Sequence, residues 1–149
     1  DLFPGASYVG RYTNPPTDYD VPEAYLADAT FAAMLSEAEK YLGYPYVWGG
    51  SSPATSFDCS GFVSWVVNHS GWSVGRLGAQ GLYNICTRTS SPRPGDLVFF
   101  KGTYDTPGVS HCGIYVGDGM MIHCGDPISY ANLNSSYWQA HFYAYGRLP

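Results

Sequence analysis

Phe57-Asp58-Cys59-Ser60-Gly61, continued by Phe62-Val63-Ser64-Trp65-Val66-Val67, is where a Gly- and Ser-rich loop (Gly49 to Ser56) runs straight into an apolar segment. This is the pattern of a helix whose first turn carries a cysteine. The N–H groups of a first helical turn and the positive end of the helix dipole favour an anion, so a thiol placed there ionises readily. On this stretch alone two readings of Cys59 stand side by side. One is an activated nucleophile; the other is a small buried hydrophobe, the usual fate of a free cysteine. The rest of the chain has to decide between them.

Upstream lies an aromatic loop, Gly43-Tyr44-Pro45-Tyr46-Val47-Trp48-Gly49-Gly50. Before it, Phe31, Met34, Leu35, Ala38 and Leu42 recur at spacings of three and four, which predicts an amphipathic helix from Asp28 to Leu42, started by Asp28 or Thr30 and stopped at Gly43. Residues 1–26 hold Pro4, Pro15, Pro16 and Pro22 without any sustained period, so they read as a linker or as an arm laid on the surface of a domain formed by 27–149. Downstream, the helix opening near Cys59 should run to about His69 and end at Ser70-Gly71. A shorter helix is expected over Leu77 to Thr87, weakened by Gly78 and Gly81. After the turn Pro92-Arg93-Pro94-Gly95-Asp96 the chain reads as strands: Leu97 to Lys101, His111 to Val116, Met120 to Cys124, Ile128 to Ala131 and His141 to Arg147. Helices first and an antiparallel sheet of about five strands afterwards make an α+β domain.

Length and charge exclude several classes of function. A chain of 149 residues suits one domain with its own core. Seven Lys and Arg against twelve Asp and Glu leave a net charge of −5, with no basic cluster, so nucleic acid is not an expected partner. No apolar run approaches the roughly 18 residues of a membrane span, and no signal-peptide pattern opens the chain. Because the sequence starts at Asp1 and not at Met, it is expected to be a piece of a longer protein, with any export signal upstream. Assigning Cys59 as a nucleophile leaves three of the four cysteines, so at most one disulfide can form.

A cysteine nucleophile needs a base to take its proton and a third group to orient that base. His69 stands ten residues beyond Cys59 on the same helix, roughly 15 Å along the axis, which rules it out. His141 lies in an aromatic strand near the C-terminus and reads as a packing or surface residue. His111 and His123 remain, on two strands that look paired. With a two-residue turn at Asp118-Gly119 they would point to opposite faces of the sheet. With a three-residue turn Gly117-Asp118-Gly119 and a left-handed Gly119, Val116 faces Met120, His123 faces Gly113, and the two histidines share a face. The same register sets Cys112 opposite Cys124 on the other face, either as a cross-strand disulfide or as two buried thiols against the helices. Zinc held by the His-Cys pairs fails on direction, since the histidines and cysteines face opposite ways, and no metal or other cofactor is expected.

Four blocks in order, Gly43-x-Pro45-Tyr46-x-Trp48-Gly49-Gly50, Phe57-Asp58-Cys59-Ser60-Gly61-Phe62, Pro94-Gly95-Asp96-Leu97-Val98-Phe99-Phe100 and Ser110-His111-x-Gly113-Ile114-Tyr115-Val116-Gly117, with His123 twelve residues after His111, resemble the NlpC family of bacterial cell-wall cysteine peptidases. The resemblance covers about residues 30–148. It implies a circularly permuted papain-like fold and hydrolysis of peptidoglycan stem peptides, usually between D-γ-glutamate and the diamino acid, diaminopimelate or lysine. By the same resemblance Cys59 is the nucleophile, His111 the general base, His123 the residue orienting it, and Tyr46 a hydroxyl that helps the Cys59 N–H hold the oxyanion, chemistry that both donors suit.

Asp58 and Ser60 match positions that bind the free amino group of an N-terminal L-alanine, and Asp58 can equally be read as a helix cap. Arg76 matches a recurrent arginine that meets a substrate carboxylate or ties down its loop. Trp48 is expected either to wall the cleft or to pack in the core. Cys112 and Cys124 depart from the family, which usually has Val and Ala there. The implied setting is a secreted or wall-associated bacterial enzyme with a further domain upstream. A thiol amidase or acyltransferase on the same scaffold is the alternative enzyme. An inert wall-binding module would be expected to lack Cys59, His111 or His123, and all three are present.

Overall fold

The computed structural model of the chain describes residues 18–149, so the part of the proposed arm from 1 to 17 lies outside the described residues. Residues 18–27 lie against the domain: the Tyr19 and Tyr25 hydroxyls both donate to the Asp118 carboxylate, at 3.1 and 2.7 Å, and Glu23–Ala27 forms a short 3₁₀ turn. Asp28 then starts helix α1, Ala29–Glu39, by accepting from the N–H groups of Thr30 and Phe31. Phe31, Met34, Leu35 and Ala38 are its buried face, as the spacing predicts. The helix stops three residues short of Leu42. Lys40 to Gly43 are pulled into turns because the Gly43 N–H donates to the Ile128 carbonyl, and Leu42 is left 40% exposed.

Helix α2, Cys59–Asn68, sits at the centre of the molecule, and all its residues but Trp65 and Asn68 are buried. One glycine fixes how close it comes to the preceding loop. A Cβ on Gly61 would stand 2.0 Å from the Gly50 carbonyl oxygen, so the loop closes over the first helical turn only because no side chain is there. That loop carries a two-stranded ribbon, β1 (Ser51–Ser52) and β2 (Ser56–Phe57), too short to be read from sequence. The next helix, α3, is confined to Ala79–Ile85. It is shorter than the Leu77–Thr87 expectation because the Leu77 carbonyl is held by the Ser64 hydroxyl at 3.1 Å and Cys86 is already extended toward the sheet.

The sheet has six antiparallel strands in the order β3-β8-β4-β5-β6-β7: β3 Thr87–Thr89, β4 Leu97–Lys101, β5 Val109–Gly117, β6 Met120–Cys124, β7 Ile128–Asn132 and β8 Phe142–Arg147. The strand beyond the expected five is β3, whose three residues add to the edge of β8. Both faces are covered. Leu97, Phe99, Cys112, Ile114 and Ile122 face the helical layer, and Val98, Phe100 and Met121 face a second core closed by Trp138. That is why Leu97-Val98-Phe99-Phe100 is one unbroken apolar run. Trp138 comes from helix α4, Ser136–His141, which takes His141 out of the strand in which the sequence reading put it. No helix among the described residues is long and apolar enough to cross a membrane.

The hairpin of β5 and β6 keeps the expected register but by a different device. Ile114 pairs with Ile122 and Tyr115 with Met121, yet Gly117, not Val116, pairs with Met120. A bulge at Val116 absorbs one residue, and a two-residue turn follows with Asp118 at φ 54 and Gly119 at φ 73, both left-handed as such a tight turn requires. The three-residue turn is therefore corrected to a two-residue turn plus bulge. The consequence for His111 and His123 is the same.

Candidate active site

Asp58 builds the start of α2. Its Oδ1 accepts from the Gly61 N–H at 2.7 Å and its Oδ2 from the Gly49 N–H at 3.0 Å, while its backbone carbonyl takes the Phe62 N–H. The Cys59 and Ser60 N–H groups therefore head the helix beside the Cys59 sulfur. Cys59 is 7% exposed and lines a cleft of about 350 Å³ together with Tyr46, Trp48, Asp58, Ser60 and Arg76. Six of the eight residues singled out in the sequence thus meet in one hollow, and the other two, His111 and His123, lie beneath it.

His111 and His123 are fully buried, and His111 Nε2 lies 2.9 Å from His123 Nδ1. Gly113 makes room for this pair, since a Cβ there would stand 3.1 Å from the His123 Cβ. His111 also bears on Cys59, whose thiol its charge helps to draw down. Burial first, and the neighbouring His111 second, hold His123 well below the ordinary imidazole range. His123 is thus neutral and able to accept from a protonated His111. Trp138 stacks on His111 at 5.2 Å between ring centroids and meets His123 edge-on at 5.1 Å.

The Cys59 thiol is drawn well below the usual thiol range. The hydrogen bond from the Cys112 side chain is the largest cause; burial opposes it, and the charge and hydrogen bond of His111 add to it. Cys112 and Cys124 are both free thiols, so the cross-strand disulfide does not form. Cys124 hydrogen-bonds the Phe57 carbonyl at 3.2 Å, and Cys112 reaches the candidate nucleophile itself.

Tyr46 is locked on two sides. Its N–H donates to Asp126 Oδ1 at 3.2 Å, and it bridges to Phe57 while the next N–H, from Val47, donates to the Phe57 carbonyl at 2.8 Å. Phe57 and Asp126 therefore fix the Tyr46 backbone at the edge of the cleft that its side chain lines. Burial, then the charges of Cys59 and Asp58, hold the ionisation of the Tyr46 hydroxyl far above the ordinary phenol range, so it keeps its proton and stays a donor. On the opposite side of the cleft Arg76 pairs with Asp58 at 2.8 Å and donates to the Ser60 hydroxyl at 2.9 Å. Burial first and the Cys59 charge next raise Asp58 above the ordinary carboxylate range. Trp48 meets Tyr104 edge to face at 5.5 Å across the mouth.

His69 and His141 are elsewhere. His69 ends α2 stacked on Trp65, and His141 contacts the Lys101 carbonyl. The sequence reading missed Tyr104, Trp138 and the approach of Cys112 to Cys59. A signal for Trp138 exists in Ser135-Ser136-Tyr137-Trp138, a capping pair followed by aromatics, whereas nothing in the sequence marks Tyr104.

Residues 43–147 match the family model of the NlpC/P60 family. The chain is 43% identical over 121 residues to the bifunctional muramidase/DL-endopeptidase CwlT of Bacillus subtilis, a match covering 79% of this chain and 36% of the relative. It is 36% identical over 149 aligned residues to gamma-DL-glutamyl hydrolase of Bacillus subtilis, covering 90% of this chain and 31% of that one. A crystal structure of an NLP/P60 family protein from Staphylococcus aureus, described as similar to lipoprotein, superposes with a TM-score of 0.78 at 40% identity, over 93% of this chain and 46% of its own. The chain spans between 22% and 36% of the length of the curated relatives it matches.

Proposed function

The chain belongs to the NlpC/P60 family, and on that premise we propose that it is a thiol-dependent peptidoglycan hydrolase that cuts stem peptides at the bond between D-γ-glutamate and the diamino acid. The observation that carries this reading is the alignment of Cys59, His111 and His123 under a cleft rimmed by Tyr46. The relatives named as a DL-endopeptidase and a γ-DL-glutamyl hydrolase support the choice of bond.

His111 takes the thiol proton, and His123, held neutral, accepts from the imidazolium so formed. The thiolate attacks the amide carbonyl. Charge building on its oxygen is met by the Tyr46 O–H and the Cys59 N–H. His111 returns the proton to the departing amine, and water, deprotonated by the same imidazole, releases the acyl group. Trp138 keeps the imidazole in plane and dry. Asp58 and Ser60 are assigned to the amino end of the stem peptide, with Arg76 sharing the carboxylate, and Trp48 with Tyr104 walls the cleft. The enzyme works outside the cytoplasm, on the wall, as the catalytic part of a longer protein.

Digestion of purified peptidoglycan, with the new termini read by mass spectrometry, tests the reading. A new amino terminus on the diamino acid is expected. A sugar freed from L-alanine would mean an amidase, and a new peptide cross-link an acyltransferase. Cys59→Ala should abolish release; lysis at the wild-type rate would remove the thiol mechanism.

A further inference from the structure

The mechanism above leaves one buried nucleophilic group in contact with the reacting sulfur and unused. Cys112 is fully buried on β5, its side chain in the core beneath α2, and of the groups around Cys59 it bears most strongly on that thiol. The Ser110 carbonyl of the same strand lies 3.9 Å from the Cys59 Sγ, which places the sulfur directly over this part of β5. Cys124, the other buried cysteine nearby, is turned to the Phe57 carbonyl instead. Cys59 opens onto the cleft, and Cys112 lies behind it with no surface of its own.

The geometry points to Cys112 as a resolving thiol, so that Cys59 and Cys112 form a reversible disulfide that switches the enzyme off under peroxide and protects the nucleophile from irreversible oxidation. The switch rests on Cys59 being the nucleophile. A peroxide entering the cleft is attacked by the Cys59 thiolate. The O–O bond breaks, its leaving oxygen departs as hydroxide or alkoxide and picks up a proton, and Cys59 becomes a sulfenic acid. The Cys112 sulfur then attacks the Cys59 sulfur. The S–O bond breaks, the hydroxyl leaves with the Cys112 proton as water, and the S–S bond closes. Peroxide is the two-electron oxidant, and two thiols are oxidised together. A dithiol reductant reverses the change by thiol–disulfide exchange, itself becoming the disulfide. Burial favours Cys112 in this role, because peroxide reaches Cys59 first and the second thiol waits behind it, two residues along β5 from the Ser110 carbonyl that the Cys59 sulfur approaches.

The test uses the 149-residue chain treated with hydrogen peroxide, then split into two samples. One is digested under non-reducing conditions, where the wild type should yield a Cys59–Cys112 linked peptide and an intact mass lower by about 2 Da. A Cys124→Ala variant should yield the same link. The other sample is returned to dithiothreitol and assayed on peptidoglycan. The wild type should regain most of its activity, and Cys112→Val at least about tenfold less, with Cys59 heavier by about 32 Da as sulfinic acid. Absence of the linked peptide from the wild type overturns the switch, as does equal recovery in Cys112→Val. Lysis by Cys59→Ala at the wild-type rate would instead overturn the catalytic assignment, while the peptide map still reports on the disulfide.

Discussion

Four thiols share this small domain, and their surroundings set them far apart. Cys59 is drawn down, by the Cys112 hydrogen bond above all. Cys86, half-buried, is pushed up to about 12 by burial and by Asp96. Cys112 and Cys124 are raised well above the ordinary range, the first chiefly by its hydrogen bond with Cys59 and the second by burial. A thiolate-directed reagent should therefore distinguish one residue from three. Iodoacetamide at about pH 6 is expected to label Cys59 alone, as read by peptide mapping, and His111→Ala should move the rate profile toward higher pH. A wild-type rate that rises only near the ordinary thiol value of about 8.5 would contradict the assignment.

Helix α2 does its work through a first turn gripped from outside. Asp58 caps it, and the Gly49-Gly50 backbone lies so close to Gly61 that any side chain collides with the Gly50 carbonyl. Gly61→Ala should therefore cost about 1–3 kcal/mol, the usual range for overpacking, and lower the melting temperature by about 3–10 °C. Activity should fall with it, since the same turn aims the Cys59 sulfur. An unchanged melting temperature would show that the loop yields freely. Much of this element was legible beforehand: Asp58 read as a cap, Gly61 stood in the motif, and the apolar run gave the length. Elements of two or three residues were not legible, because β1, β2 and β3 exist only as partners of other strands and carry no period of their own. Helix α4 was hidden for a related reason, since six residues are too few for a helical repeat to show against the flanking aromatic strand.

Across the whole molecule, the sequence separated helices from sheet and put the six cleft residues and two histidines into one site, because each sits at a motif with its own spacing. What it could not supply was the second core behind the sheet, from which Phe100 and Trp138 pack on His111 and Trp138 on His123. That enclosure has a consequence for stability in acid. His123 lies well below its free value of 6.5 in the folded protein, through burial first and His111 second, so the unfolded chain binds its proton more readily. Its contribution is full above about pH 6.5 and is lost as pH falls through the window below that value.

Glu37, which ties α1 to α2 through Trp65 and Tyr41, acts lower down. Burial opposes its ionisation, but the hydrogen bonds from Tyr41, Lys40 and Trp65 prevail and bring it to about 2 from 4.5, so its contribution is lost between those values. Asp58 works the other way. Its raised value gives stability that is full below 3.8 and fades as pH rises through the folded value, which blunts the acid loss. Cys59→Ala removes the thiol titration and leaves the histidine limb in view. In that background the melting temperature should start to fall between about pH 7 and 5, before most carboxylates protonate. Adding His123→Asn should flatten this limb and keep the lower one. A melting temperature that is flat over that interval with His123 intact would mean that the buried pair takes up a proton without cost, and the neutral orienting role given to His123 would fall with it.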